Sequence, residues 1–289
     1  MSEMTDQGSR GTKRLGTLGR KGVKAAMLPL GALHPRREGD VVVLLYHRVG
    51  VGDREIDMPL DVFDEQMRLL KRKDRILSLD AALEDQEGGV VVTFDDGYRD
   101  FHDHVLPVLE RLEIPALLYL ASGAVAGEDH DAGDQALTWP LLERALATGL
   151  VAAGAHTHSH ANLSDASESE AEAEMRRNKD LVERHLGVAC RHFAYPWGVA
   201  SDGARRAAER VFETSALDSW KTNRRGAIDR QRLGRIPILR SDGTRFFRAK
   251  TRGLLDSEAI AYRLLRRGPW RPGDELGGPG SSAMAGTDR

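Results

Sequence analysis

Two carboxylates stand side by side in Thr93-Phe94-Asp95-Asp96-Gly97, directly after the β-branched run Val90-Val91-Val92. Adjacent aspartates at the end of a buried strand raise one another's pKa unless a cation compensates, so the pair points to a site that holds one. The economical division gives one carboxylate to a metal and leaves the other as a base. A tight turn is the competing explanation, since Asp-Asp-Gly suits turn positions with positive φ at the glycine. The strand just before it favours a site, because α/β sheets and barrels collect their chemistry at the C-terminal ends of their strands. Farther along, His156-Thr157-His158-Ser159-His160 places three of the chain's ten histidines within five residues. His156 and His160 share one side if the segment is helical or if a loop folds back on itself, and that is metal-ligand spacing. Aspartate with histidine at an open site suits a borderline divalent ion, zinc first, with other first-row ions also accommodated.

Two further segments carry candidate chemistry. Phe193-Ala194-Tyr195-Pro196-Trp197-Gly198 ends a strand with aromatics, a rigid proline and a permissive glycine. That composition suits a sugar-stacking wall and a backbone N–H aimed into a pocket, or simply a packed turn. Leu45-Tyr46-His47 puts a histidine at a strand end, where a hydrogen-bonded structural role is the commoner one.

These residues need a scaffold. Strands are expected at Val41–Tyr46, Val90–Phe94, Ala116–Leu120, Val151–Gly154, Arg191–Tyr195, Glu213–Ala216 and Ile236–Leu239, alternating with helical stripes. One stripe is Phe63, Met67 and Leu70. A second is Val105, Val108, Leu109 and Leu112, and a third runs through Met175, Leu181, Val182 and Leu186 to a stop at Gly187. Repeated β-then-α units predict a parallel sheet, open or closed into a barrel.

The chain's 289 residues suffice for one large α/β domain with tails, and a net charge of -2 offers no overall basic field for nucleic acid. Cys190, the single cysteine, excludes an internal disulfide and reads as a packing residue. Residues 1–39 read as a basic flexible arm. Its Lys13, Arg14, Arg20, Lys21 and Lys24 are expected in solvent, with peripheral contact to an anionic membrane surface as the alternative. The short apolar piece around Leu28 makes neither a signal peptide nor a membrane span, which points to the cytoplasm. Residues 40–264 form the expected domain, and residues 265–289 a disordered tail.

Taken together, the segments from about Val41 to Leu239 resemble the polysaccharide deacetylases with a NodB-homology domain, carbohydrate esterase family 4. Thr-Phe-Asp-Asp-Gly matches that family's first motif and His-Thr-x-x-His its second, while Phe-Ala-Tyr-Pro-Trp-Gly is similar to its third. The resemblance implies a distorted (β/α)7-like barrel with Asp95 as general base and Asp96, His156 and His160 as metal ligands. Trp197 would offer its N–H to an oxyanion. Two departures follow. Ala194 replaces the arginine of the third motif, so the cation that orients Asp95 must come from elsewhere, and Arg235 is the expected substitute. No Leu-x-His occurs near the C-terminal end, but Leu45-Tyr46-His47 does occur in the first strand. This resembles the circularly permuted arrangement of the biofilm poly-N-acetylglucosamine deacetylases and implies His47 as general acid. Asp218 and Trp220 would supply the buttress of the fourth motif, with Tyr195, Trp197 and Trp220 facing substrate.

The activity so implied is removal of N-acetyl groups from an amino-sugar glycan or sugar-linked intermediate, releasing acetate. O-deacetylation of a glycan and a carbohydrate-binding pseudoenzyme are the alternatives.

Overall fold

The computed structural model describes residues 35–128 and 135–256, together with positions 22, 24, 25, 28 and 29. Seven parallel strands close into a barrel in the order β1 (Val41–Tyr46), β4 (Gly89–Phe94), β5 (Ala116–Leu120), β6 (Val151–Ala155), β7 (His192–Ala194), β8 (Thr214–Leu217) and β9 (Leu233–Pro237). β9 returns to pair with β1, Val43 facing Arg235. A separate two-residue ladder, β2 (Arg48–Val49) with β3 (Asp57–Met58), sits in the long connection after β1.

The alternation of side chains along a strand sorts residues into two apolar layers. Val41, Val43, Val91, Leu117, Tyr119, Ala194, Ala216 and Leu233 fill the lumen, joined by Leu79 and Ala82 of the short helix Leu79–Glu84 that leads into β4. Val42, Leu44, Tyr46, Val90, Val92 and Phe94 face outward, where Phe63, Met67 and Leu70 of the helix Leu60–Lys73 cover them. Both faces of β1 and β4 are buried, so these two strands read as near-continuous apolar runs.

The stripe that begins at Val105 is entered through a π-helical turn, Phe101–Val105, and continues as the helix Leu106–Leu112. The helix Glu168–Leu186 has a full capping box, Ser167 with Glu170, and ends on Gly187 in the left-handed conformation. No helix among the described residues is long and apolar enough to cross a membrane.

The seven-stranded barrel is the expected fold, but strand limits shift. β7 is shorter than Arg191–Tyr195 and β8 begins at Thr214. β9 starts three residues before the expected Ile236, because Gly234 and Arg235 interrupt the apolar signal. Gly234 is required there, since a Cβ would meet Ser219 Oγ at 2.6 Å and the Lys221 carbonyl at 2.7 Å.

Most of the arm 1–39 and all of the tail 265–289 lie outside the described residues. Lys24, expected in solvent, is fully buried, with its ammonium on Ser241 Oγ at 3.0 Å and on Asp242. Asp242 is fully buried and gathers two cations, Lys24 on one carboxylate oxygen and Lys250 Nζ, at 3.0 Å, on the other.

Candidate active site

Asp95 follows β4 at the C-terminal end of the barrel and is almost wholly buried. Its backbone N–H donates to the Tyr46 carbonyl at 3.1 Å, which ties the end of β4 to the end of β1. Both carboxylate oxygens are engaged by one guanidinium, Arg235 Nη1 donating to Oδ1 at 2.6 Å and Nη2 to Oδ2 at 2.8 Å. Arg235 Nη2 also donates to Asp218 Oδ1 at 2.7 Å. Burial opposes ionisation of Asp95, yet the Arg235 charge, helped by His156, brings its pKa below the ordinary carboxylate value. Asp218 goes the other way: burial raises its pKa beyond what Arg235 offsets, and the Asp95 charge raises it further. Arg235 is held charged between them, its guanidinium 5.3 Å from the Tyr119 ring centre.

β7 presents Ala194 to the same lumen that Arg235 enters from β9. An arginine thus enters the lumen from β9, two strands along the barrel from Ala194. Gly198 matters to this arrangement. It has φ 65°, and a Cβ there would sit 2.4 Å from the Asp218 Cβ.

Asp96, His156 and His160 converge: one ligand atom from each lies within 4.8 Å of the others. Asp96 Oδ1 is 3.4 Å from His156 Nε2 and 3.1 Å from His160 Nε2, but neither contact is aligned as a hydrogen bond, so this buried oxygen has no donor. An orphaned buried carboxylate oxygen faced by two imidazole nitrogens is the arrangement a divalent cation satisfies. His156 Nδ1 donates to the Ala194 carbonyl at 2.8 Å, which turns the Nε2 lone pair toward Asp96 and fixes the ring. For Asp96, burial is outweighed by His160 and His156, and its pKa falls well below the usual range. Burial disfavours charge on His156, yet Asp95 and Asp96 together raise its pKa above the ordinary imidazole value.

The two metal-spaced histidines are on a loop after β6, not a helix, and the loop folds back through left-handed residues at Thr157 (φ 61°) and His160 (φ 54°). His158 points away: Nδ1 meets Ser122 Oγ at 3.0 Å and Nε2 meets Glu128 at 3.1 Å.

His47, immediately after β1, is half-buried and close enough to Asp95, Asp96 and Asp218 for its charge to act on all three. Trp197 occupies a 3-10 turn, Pro196–Gly198, at φ 53°, with its ring 4.4 Å from that of His160. The turn's own bonds, Gly198 to the Tyr195 carbonyl and Val199 to the Pro196 carbonyl, do not use the Trp197 N–H.

Two expected substrate contacts are corrected. Tyr195 is fully buried, edge-on to Phe193 with centroids 4.8 Å apart, because the residue after lumen-facing Ala194 must point outward into the helix layer. Trp220 is 5% exposed, with the Lys250 ammonium 5.0 Å from its ring centre, and so has almost no surface for a sugar. Missing from the sequence reading altogether was Asn178, fully buried on the helix Glu168–Leu186. Its signal was a polar residue in phase with Ala171, Met175 and Val182 on the apolar stripe.

The closed parallel barrel thus carries an Asp-His-His cluster beside an arginine-bound aspartate. Residues 83–211 match the family model described as polysaccharide deacetylase. That segment contains Asp95, Asp96, His156, His160 and Trp197 but neither His47 nor Arg235. Bacillus subtilis YxkH, whose name places it among the polysaccharide deacetylases, is 23% identical over 177 residues, 58% of this chain and 61% of that protein. The chain thus spans about three fifths of that relative's length. The Streptococcus pyogenes deacetylase PplD, solved in complex with acetate, superposes with a TM-score of 0.66 at 22% identity, over 74% of this chain and 99% of that one. IcaB from Ammonifex degensii gives a TM-score of 0.64 at 24% identity, over 78% of this chain and 98% of that one. At these identities the two structures speak for the fold.

Proposed function

We propose that the barrel is a metal-dependent hydrolase that removes N-acetyl groups from an amino-sugar glycan or glycoconjugate. The observation that carries this reading is the orphaned Asp96 Oδ1 facing two imidazoles, one of them oriented by the Ala194 carbonyl, directly beside a carboxylate held ionised by Arg235. Asp96, His156 and His160 would hold a divalent ion, for which zinc suits the donor set best. When bound, that ion supplies an electrophile that polarises the acetyl carbonyl and acidifies water.

The chain's own groups do the rest. Asp95 accepts a proton from the attacking water, and Arg235 keeps its carboxylate turned to the pocket and ionised. Water oxygen adds to the carbonyl carbon, and the Trp197 N–H donates to the oxyanion that forms. His47 gives its proton to the departing nitrogen as the C–N bond breaks, leaving acetate and a free amine. An amine leaves poorly unless protonated, so a proton donor on this side of the pocket is a chemical requirement.

The test is acetate release from N-acetylated and O-acetylated oligosaccharides by purified protein reconstituted with zinc. Release from the N-acetylated set is expected. Release from the O-acetylated set alone would make the protein an esterase, and none from either would reject the reading.

A further inference from the structure

The loop that carries His156 and His160 is held from one side by the helix Glu168–Leu186, and two of that helix's residues meet a single peptide unit from opposite poles. Asn178 Nδ2 donates to the Thr157 carbonyl and, at 2.7 Å, to the Leu120 carbonyl at the end of β5. One turn earlier, Glu174 Oε2 accepts from the His158 N–H at 3.0 Å and from the Ser159 N–H at 2.9 Å. The Thr157 C=O and His158 N–H belong to the same peptide group. Its carbonyl end faces an amide donor and its N–H end faces a carboxylate.

This polarity selects one orientation of the peptide plane. Turned over, the carbonyl would point at the Glu174 carboxylate, a repulsive contact, and the N–H could be met by Asn178 only if its amide turned and gave up the Leu120 carbonyl. The selected orientation has Thr157 at φ 61°, a conformation that a β-branched residue adopts only when its surroundings impose it. The following carbonyl, that of His158, is fixed as well, accepting from the Gly123 N–H at 2.8 Å. Thr157 is the residue after His156 and three before His160, so the direction of this one plane sets how the two imidazoles face Asp96. Glu174 and Asn178 lie four apart and project from one face of the helix, as two prongs of the same grip.

We infer that Glu174 and Asn178 are positioning residues that preorganise the Asp96-His156-His160 site by locking the 157–158 peptide plane. This rests on the metal reading proposed above. A pre-set ligand loop spares the ion the cost of ordering it, and partners outside the ligand shell typically contribute about 10–100-fold to metal affinity.

The experiment measures zinc dissociation constants by chelator competition for the full-length parent, Glu174→Ala, Glu174→Gln and Asn178→Ala, with apo-protein Tm recorded in parallel. Glutamine keeps one acceptor oxygen for both N–H groups, so Glu174→Gln should remain within about threefold of the parent while Glu174→Ala and Asn178→Ala weaken binding about tenfold or more. Cobalt substitution adds a spectroscopic reading: the visible bands of the alanine variants should shift, and those of Glu174→Gln should not. Alanine variants with parental affinity and a lowered apo Tm would show a merely structural role and overturn the inference. Equal weakening by Gln and Ala would overturn the acceptor argument. A parent that binds no zinc would overturn both this inference and the proposed function, whereas the preceding outcomes leave the function standing.

Discussion

Arg235 and Asp95 lie 140 positions apart in sequence and form a two-pronged ion pair inside the barrel, at 2.6 and 2.8 Å. The pair joins the last strand to the second strand of the barrel across β1. Because neither side chain has meaningful access to water, the guanidinium is what allows the carboxylate to remain ionised. Its third contact, to Asp218, makes one cation serve two acids.

Replacing Arg235 by methionine should therefore cost stability as well as turnover. Removing one partner of a buried pair typically costs about 3–5 kcal/mol, since the remaining charge is left uncompensated. Urea denaturation of Arg235→Met should show a loss of that order, accompanied by loss of acetate release. A change within about 0.5 kcal/mol, the range of ordinary surface substitutions, would mean that the pair does not stabilise the barrel.

Asp95→Asn should abolish turnover and leave the metal in place. An amide cannot take the proton from water, while Asp96 keeps its oxygen for the ion. General acid–base groups supply about 10²–10⁴-fold, so a kcat within about tenfold of the parent would remove Asp95 from the role of base. Elemental analysis should give the same metal content for variant and parent.

Metal binding should release protons, and His156 is the source. Burial opposes its charge, but Asp95 and Asp96 raise its pKa above 6.5, so the apo protein holds this proton to higher pH than a free imidazole would. The protonated pair stabilises the apo fold fully below pH 6.5, and that contribution disappears as pH rises through the raised folded-state value. Asp96 has the opposite sign: its contribution is present above pH 3.8 and is lost as pH falls through its depressed value. Apparent zinc affinity should consequently climb with pH above 6.5. Calorimetry in buffers of differing ionisation enthalpy should report net proton release, and the double variant His156→Ala/His160→Ala should bind no ion. A pH-independent affinity between 6 and 8 would reject the account.

His47→Asn separates proton donation from the rest of the chemistry. An N-acetyl substrate needs its nitrogen protonated as it leaves, whereas an activated aryl ester departs without help. If His47 is the acid, kcat on the amide should fall about 10²–10⁴-fold, with far less change on the ester. Equal losses on both would assign His47 to binding or to structure.

The chemistry of the site was more legible than its supports. Asp95-Asp96 and His156-x-x-x-His160 are contiguous in sequence, and the strands before them are uninterrupted apolar runs, so type, spacing and element coincide. Arg235 could be suspected only because Ala194 left a vacancy in a motif. Its own strand was misplaced by three residues, since a charged side chain in the lumen looks like the end of a strand. Tyr195 and Trp220 were misjudged for a related reason. Aromatic composition says that a ring will be buried or stacked, but the side Tyr195 takes follows from the register at Ala194, and Trp220 sits in the connection between β8 and β9, where no periodicity marks its direction. Asn178 and Glu174 act through backbone groups of a distant loop, and backbone acceptors carry no mark in a sequence.

The pairing of β9 with β1 also sets an order on synthesis. Asp95 is made early and its counter-charge late, so a nascent chain that has not yet exposed residue 235 cannot bury that carboxylate at low cost. Such a chain keeps the acidic end of β4 in water and the last gap of the barrel open. The Asp95 carboxylate thus becomes buried and ionised only when the final strand arrives, and a product truncated before β9 would be left without both a closed wall and the cation that pairs with Asp95.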